Sequence, residues 1–241
     1  IDIILTMDIS GSMLAQDLKP DRLEASKNVA MDFISKRIND RVGLVIFAGE
    51  SFTQCPLTTD HNVLINLFKD VKSGMVDDGT AIGMGLATAV NRLKDSEAIS
   101  KVIILLTDGV NNSGMVPPLT AAEIAEKFGI RVYTIGVGTE GFAPYPFQTP
   151  SGRIQYQDVE VKIDEKTLQD IAILTDGKYF RATNNNSLKE IYKDIDALEK
   201  SKIEVTAFHM RSEEFLPFAL WALALLLLGF ILQITYLKQI P

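Results

Sequence analysis

The sequence predicts an α/β fold in which a doubly wound, mostly parallel central sheet carries helices on both faces. Short β-branched runs alternate with longer amphipathic runs, a pattern typical of βαβ units. The runs Val42–Phe47 and Val102–Leu106 are almost wholly apolar, as expected of strands covered on both faces. The alternating run Ser51–Cys55 follows a tight Gly49-Glu50 connection, which predicts an antiparallel edge strand.

The remaining elements follow in a regular order along the chain. Further strands are predicted at Ile3–Met7, Val132–Val137 and Tyr179–Arg181. Helices are predicted at about Asp21–Ile38, Asn62–Lys72, Ile82–Lys94, Ala121–Phe128, Glu165–Leu174 and Leu188–Leu198.

Two segments interrupt this alternation. Residues 139–163 are rich in Pro and Gly and predict an inserted hairpin that turns at Pro150–Arg153, with a plain surface loop as the alternative. Residues 215–237 contain no charged side chain. As a helix they would span roughly 34 Å, which predicts a C-terminal transmembrane helix. The expected organisation is a domain at 1–203, a linker at 204–214, the membrane helix at 215–237 and a tail at 238–241.

Composition excludes several classes of function. The net charge of -7 argues against a nucleic-acid partner, because binding to phosphates requires clustered Lys and Arg. The single cysteine, Cys55, and the two histidines exclude an internal disulfide and a zinc site built from Cys and His; Cys55 is expected to be a small buried apolar residue. The chain opens inside the strand-like run Ile1–Met7, which predicts that segments of the natural protein precede it.

Three short stretches carry the candidate chemistry. They are Asp8–Ser12, after the first strand, Asp78–Thr80, before the helix near Ile82, and Thr107–Gly109, after the strand Val102–Leu106. The carboxyl ends of parallel strands share one sheet edge, where ligand sites form, so the three stretches are expected to meet there.

The chemistry of this set indicates a hard divalent cation. It consists of two carboxylates, Asp8 and Asp108, and three hydroxyls, Ser10, Ser12 and Thr80, with no nitrogen or thiolate ligand. All-oxygen sites suit Mg²⁺, with Mn²⁺ or Ca²⁺ as alternatives. The hydroxyls are neutral, so the bound ion would keep enough positive charge to accept a carboxylate from a partner.

These residues resemble the metal-ion-dependent adhesion site of von Willebrand factor A domains, whose fold is Rossmann-like. The resemblance covers about residues 1–200. It implies that Ser10, Ser12 and Thr80 bind the metal directly and that Asp8 and Asp108 bind it directly or through water.

A closer resemblance is to the bacterial aerotolerance membrane proteins, the BatA and BatB group. Met13–Leu23, Ser51–Thr58, Ala143–Pro146 and the terminal helix after Glu213-Glu214 carry it, and the inserted segment favours the BatA-like members. The resemblance implies a bacterial inner-membrane protein that works with sister Bat proteins and a MoxR-type ATPase. It also favours a periplasmic domain, with Lys238 on the cytoplasmic side of the helix.

The favoured function is therefore a membrane-anchored binding module, not an enzyme, whose ion accepts an Asp or Glu from a partner protein. Two alternatives stay open: a metal-assisted hydrolase, which requires a general base or a second metal, and a structural membrane subunit with a vestigial site. Ser12 as a nucleophile is disfavoured, because no recognisable base accompanies it. His61 is interpreted as a residue near a helix cap at Asp60. Asn111 and Asn112 are interpreted as turn residues, with a position at the rim of the site as the alternative.

Overall fold

The computed structural model describes residues 1–149, 153–209 and 215–235. The chain divides into two compact units, Ile1–Glu199 and Lys200–Pro241. The first unit contains a six-stranded sheet, a separate two-stranded sheet and most of the helices.

The six-stranded sheet has the strand order β3-β2-β1-β4-β5-β8, and the two-stranded sheet pairs β6 with β7. All neighbours in the large sheet are parallel except β2 and β3, so the predicted antiparallel edge strand is confirmed. The strands are β1 Asp2–Asp8, β2 Arg41–Phe47, β3 Ser51–Thr58, β4 Lys101–Thr107, β5 Ile130–Val137, β6 Phe142–Gln148, β7 Ile154–Glu160 and β8 Tyr179–Ala182.

The helices lie where the apolar periodicity predicts them, and a short 3-10 turn at Gly11–Leu14 is added after β1. His61 begins α2, and the Asp60 side chain caps that helix by accepting from the backbone N–H of Val63. The helices are α1 Arg22–Ser35, α2 His61–Asp70, α3 Ile82–Leu93, α4 Pro118–Lys127, α5 Glu165–Leu174, α6 Asn185–His209 and α7 Phe215–Thr235.

The core consists of two apolar layers, one on each face of the large sheet. Alternate residues of β1 separate into these layers: Ile3 and Leu5 belong to one, together with residues of α1, α2 and α6, and Ile4 belongs to the other, with residues of α3, α4 and α5. Successive side chains of a strand point to opposite faces, so helices on both faces explain why β1 is buried along its whole length. The predicted doubly wound α/β fold is confirmed.

The inserted segment forms a hairpin. Strands β6 and β7 pair antiparallel from Phe142 opposite Glu160 to Gln148 opposite Ile154. The predicted turn falls mostly on residues 150–152, outside the described residues, but the backbone N–H of Thr149 donates to the carbonyl of Arg153 at 2.8 Å. Each residue from 142 to 148 has a cross-strand partner in β7. The segment is therefore a paired hairpin and not a plain surface loop.

In the C-terminal part, α6 extends to His209, into the segment 204–214 that was assigned as a linker. Helix α7, Phe215–Thr235, coincides with most of the predicted membrane helix. Within the described residues, no helix combines the length and apolarity needed to cross a membrane. Residues 210–214 and the predicted tail, 238–241, lie outside the described residues.

Candidate metal centre

The two predicted carboxylates lie side by side at the carboxyl edge of the sheet. Asp8 ends β1, and Asp108 directly follows β4, which pairs with β1 in parallel register, Met7 opposite Leu106. Both residues are buried, Asp8 at 0% and Asp108 at 2% exposure. The parallel register therefore holds two carboxylates in a nearly dry environment.

The hydroxyls of Ser10 and Ser12 lie next to each other, and that of Ser12 contacts Asp108. Ser10 Oγ and Ser12 Oγ are 3.0 Å apart, and the Ser12 hydroxyl donates to Asp108 Oδ1 at 2.7 Å. Ile9, which precedes Ser10 in the sequence, is fully buried in the apolar core. The two hydroxyls therefore lie together, and Ser12 lines the cleft described below.

Thr80 reaches the same place from the loop before α3. A Cβ added to Gly109 would lie 3.3 Å from Thr80 Oγ1, and Thr80 lines one cleft together with Ser12 and Asp108. Asn112 fixes the Thr80 backbone: its side-chain oxygen accepts from the Thr80 N–H at 2.8 Å, and its own N–H donates to the Thr80 carbonyl at 3.0 Å. Asn112 therefore borders the centre and lines the cleft, as the alternative of a rim position predicts.

Close packing of α3 explains the glycines that follow Thr80. A Cβ at Gly85 would lie 2.7 Å from the ring of Phe47 in β2, and one at Gly83 would lie 1.9 Å from the carbonyl oxygen of Val116. The absence of side chains lets α3 lie directly against β2 and the Val116 segment. These glycines thus bring the start of α3, and with it Thr80, to the sheet edge.

Burial dominates the electrostatics of the two carboxylates. Burial raises the pKa of Asp8 to about 7, and the neighbouring charge of Asp108 adds to the effect, against the hydrogen bonds from Ser10 and Thr107. The Ser10 N–H donates to Asp8 Oδ1 at 2.9 Å and the Thr107 hydroxyl to Oδ2 at 2.5 Å. Burial also raises the pKa of Asp108, and the guanidinium of Arg22 opposes that rise.

Arg22 is a member of the centre that the sequence analysis did not identify. Its Nη1 donates to Asp108 Oδ2 at 2.6 Å, while Nε and Nη2 bind both oxygens of Asp17 at 2.7 and 2.6 Å. Asp17 Oδ2 also accepts from the backbone N–H of Thr139 at 2.8 Å. One buried guanidinium thus connects the candidate ligand Asp108 to the base of the inserted hairpin.

A cleft of about 320 Å³ opens beside these residues, and the inserted hairpin supplies part of its lining. Ser12, Thr80, Asp108 and Arg22 line the side next to the sheet edge. The hairpin contributes Ala143, Tyr145, Val159 and Glu160. The sequence alone predicts no role for the hairpin at the site. A signal for such a role is that Ala143–Pro146 and Met13–Leu23 both carry the resemblance to the aerotolerance proteins.

The comparison with family models agrees with this geometry. The model described as von Willebrand factor type A domain matches residues 2–194. The chain belongs to the von Willebrand factor type A family.

Solved structures and sequence relatives place it among the Bat-type members of that family. BatB from Bacteroides thetaiotaomicron is 32% identical, with a TM-score of 0.71 over 83% of this chain and 99% of that one. An aerotolerance-related membrane protein from Bacteroides fragilis is 31% identical, with a TM-score of 0.69 over 80% and 97%. A Borreliella burgdorferi protein is 30% identical over 240 residues, which are 99% of this chain and 70% of that protein. The finer assignment to the BatA-like members stays a prediction.

A more distant likeness shows the fold alone. Proximal thread matrix protein 1 of the mussel byssus, in a structure described as having a zinc-occupied MIDAS motif, is 24% identical, with a TM-score of 0.63 over 82% of this chain and 45% of that one.

In this von Willebrand factor A domain the donor set fits a hard divalent ion. Ser10, Ser12 and Thr80 offer neutral oxygens, and Asp8 and Asp108 hold buried negative charge that a cation would stabilise in its ionised form. Among the described residues no group of three or more His, Cys, Asp or Glu side chains is arranged to hold a metal. The mixed carboxylate and hydroxyl set is a different kind of site from such a group.

Cys55 behaves as expected of a small apolar residue. It is 3% exposed within the apolar layer that contains Ile3 and Leu5, and burial raises the pKa of its thiol. A thiol held protonated in this way is a poor nucleophile.

Proposed function

We propose that the chain is a protein-binding module that depends on one divalent cation. Ser10, Ser12 and Thr80 would hold the ion, with Asp8 and Asp108 binding directly or through water. The observation that carries the proposal is the contact of Ser12 with both Ser10 and Asp108 at the cleft, beside a second carboxylate that is fully buried.

The ion would be Mg²⁺, with Mn²⁺ or Ca²⁺ as alternatives, because the donors are all oxygen and only two of them are charged. A bound divalent ion supplies a Lewis-acidic position that accepts one more carboxylate. We propose that a partner protein supplies an Asp or Glu there. The mussel thread protein is known with zinc in its own MIDAS motif.

We propose no catalytic residue. A hydrolytic role requires a general base within reach of substrate. Asp8 has the most suitable pKa, about 7, but it is fully buried and each of its oxygens already accepts a hydrogen bond. These contacts favour a structural or ligand role for Asp8 over proton transfer to a substrate.

We further propose that the C-terminal helix anchors the module in a bacterial inner membrane, with the domain in the periplasm. The support is the charge-free run 215–237 and the exposure of large apolar side chains on α7, including Trp221 and Phe230. Sister Bat proteins and a MoxR-type ATPase are proposed as the other members of the complex, on the family resemblance. Protease added to spheroplasts should digest the domain; protection until lysis would contradict this topology.

The metal proposal is tested by thermal unfolding of the full chain in detergent, with EDTA and with increasing Mg²⁺. A ligand that binds only the folded state stabilises it by about 2.7 kcal/mol at a hundredfold excess over its Kd. We expect Mg²⁺ to raise the Tm of the wild type and to leave that of Asp8→Asn unchanged. The matched control, Asp32→Asn, removes a half-exposed carboxylate paired with Lys36 and should keep the full response. No shift with Mg²⁺, Mn²⁺ or Ca²⁺ in the wild type would overturn the proposal.

A further inference from the structure

The inserted hairpin forms a second wall over the candidate metal centre. Tyr145 from β6 and Val159 from β7 line the same cleft as Ser12, Thr80 and Asp108. The hairpin therefore lines the cleft beside an ion at this edge of the sheet.

The Tyr145 hydroxyl lies beside the loop that carries the serines. A Cβ added to Gly11, between Ser10 and Ser12, would be 3.3 Å from Tyr145 Oη. Among the described residues this hydroxyl has no hydrogen-bond partner. Burial, followed by the charges of Asp78 and Asp108, raises the pKa of Tyr145, so the phenol keeps its proton and remains a donor.

Several contacts hold Tyr145 in this position. The backbone N–H of Gln16 donates to the carbonyl of the adjacent Pro144 at 2.9 Å, and the ring of Phe147 packs edge-on against the Tyr145 ring with centroids 5.0 Å apart. At the base of the hairpin, Thr139 is bound to Asp17, which Arg22 connects to Asp108. These contacts fix both the hairpin backbone and the Tyr145 ring, so the hydroxyl is held near the candidate metal centre.

We propose that Tyr145 is a partner-recognition residue whose hydroxyl donates a hydrogen bond to the carboxylate that the partner brings to the ion. This inference rests on the proposed function and specifies the partner: a protein segment that inserts an acidic side chain between the hairpin and the sheet edge. The apolar part of that segment would pack on Val110, Val159 and Val161, which line the same cleft.

The partner's chemistry explains why a donor is useful at this point. A carboxylate that binds a metal through one oxygen leaves its second oxygen with lone pairs that need donors once water is excluded. Hydrogen bonds to charged groups are stronger than those between neutral groups. Tyr145 would supply this donor, and an amide side chain, which is neutral, would gain much less from both the ion and the phenol.

The test uses Tb³⁺ as the metal probe and N-acetyl-aspartate N-methylamide as the carboxylate probe, with the full chain in detergent. Luminescence decay in H₂O and D₂O counts the waters on Tb³⁺, and the carboxylate is expected to displace water in a saturable way. The asparagine analogue should not. In Tyr145→Phe we expect Tb³⁺ affinity within about twofold of the wild type and carboxylate affinity about tenfold weaker.

The matched control is Tyr156→Phe, the other hairpin tyrosine, whose hydroxyl accepts from Gln16 Nε2 at 3.3 Å and is not part of the cleft lining. It should leave both affinities unchanged. Equal carboxylate affinity in the wild type and Tyr145→Phe would overturn the inference. So would a large loss of Tb³⁺ affinity in Tyr145→Phe, because Tyr145 would then be a metal ligand. A wild type that binds no Tb³⁺ would overturn the proposed function and this inference with it.

Discussion

The amino-end edge and the carboxyl-end edge of the parallel strands both hold buried carboxylates, but the charges around those carboxylates differ. At the edge where β4 and β5 begin, Glu199 is 2% exposed and receives hydrogen bonds from Arg131, from the Ser100 hydroxyl at 2.6 Å and from the Tyr133 hydroxyl at 2.6 Å. Burial alone would raise the pKa of Glu199, but these donors outweigh it and lower that pKa. This edge holds a negative charge that is fully compensated.

At the carboxyl-end edge, the negative charges of Asp8 and Asp108 are only partly compensated by neighbouring donors and cations. Within the described residues Asp8 accepts hydrogen bonds from Ser10 and Thr107 only, and Asp108 shares the guanidinium of Arg22 with Asp17. The result is a raised pKa for Asp8. Glu199 and Asp108 are both 2% exposed, so surface exposure does not distinguish a structural charge cluster from a candidate binding site. The balance of charge around the carboxylate does.

The largest effect is expected at the compensated edge. Glu199→Gln removes the charge that pairs with Arg131 and leaves a mostly buried guanidinium without its counterion. We expect the free energy of unfolding to fall by about 3 kcal/mol, measured by chemical denaturation of the full chain in detergent. The control Glu190→Gln breaks an exposed pair with Lys193 and should cost no more than about 0.5 kcal/mol. Equal losses in the two variants would contradict the comparison.

The stabilisation from the ion pair between Glu199 and Arg131 should decrease as the pH falls. Because the pKa of Glu199 is lowered from 4.5 in the folded state, its stabilising effect is complete above pH 4.5 and is lost as the pH falls. The difference in unfolding free energy between the wild type and Glu199→Gln should therefore narrow below about pH 4.5. A difference that stays constant down to pH 3 would show that packing, and not charge, makes Glu199 important.

At the carboxyl-end edge, neutralising a buried carboxylate should raise the free energy of unfolding, whereas Glu199→Gln lowers it. In EDTA, Asp8→Asn removes a buried negative charge while its amide keeps hydrogen bonds to Ser10 and Thr107, so we expect stabilisation by about 1–2 kcal/mol. The surface variant Asp32→Asn is the control and should change little, because its carboxylate is half exposed. Destabilisation of metal-free Asp8→Asn by several kcal/mol would assign Asp8 to the structural class of Glu199.

The smallest effect on folding is expected at Thr80. Thr80→Ala removes one hydroxyl from a loop whose backbone Asn112 holds independently. We expect Mg²⁺ affinity to fall about tenfold, which corresponds to roughly 1.4 kcal/mol, and folding stability in EDTA to change by less than about 1 kcal/mol. Thr80→Ser keeps the hydroxyl and should restore binding, as followed by calorimetric titration. A variant that unfolds in EDTA would make Thr80 structural.

The sequence by itself determined the fold and the members of the motif. Apolar runs such as Val102–Leu106 and the helical periodicity around Ile82 reflect local preferences and burial, which act residue by residue. Asp8, Ser10 and Ser12 were identifiable because their spacing is local, and Asp108 because parallel strands end at one edge. Those inferences need no knowledge of side-chain packing.

Only the tertiary structure decided which other residues surround that motif. Arg22 reads as an ordinary helical residue, and its ion pair with Asp108 joins positions 86 residues apart. Tyr145 belongs to a hairpin whose sequence predicts its own pairing but not the surface it covers. The sequence alone favours a turn role for Asn112, because its hydrogen bond with Thr80 joins positions 32 residues apart. Contacts between distant segments depend on how whole elements pack, and the balance of charge at Asp8 follows from that packing.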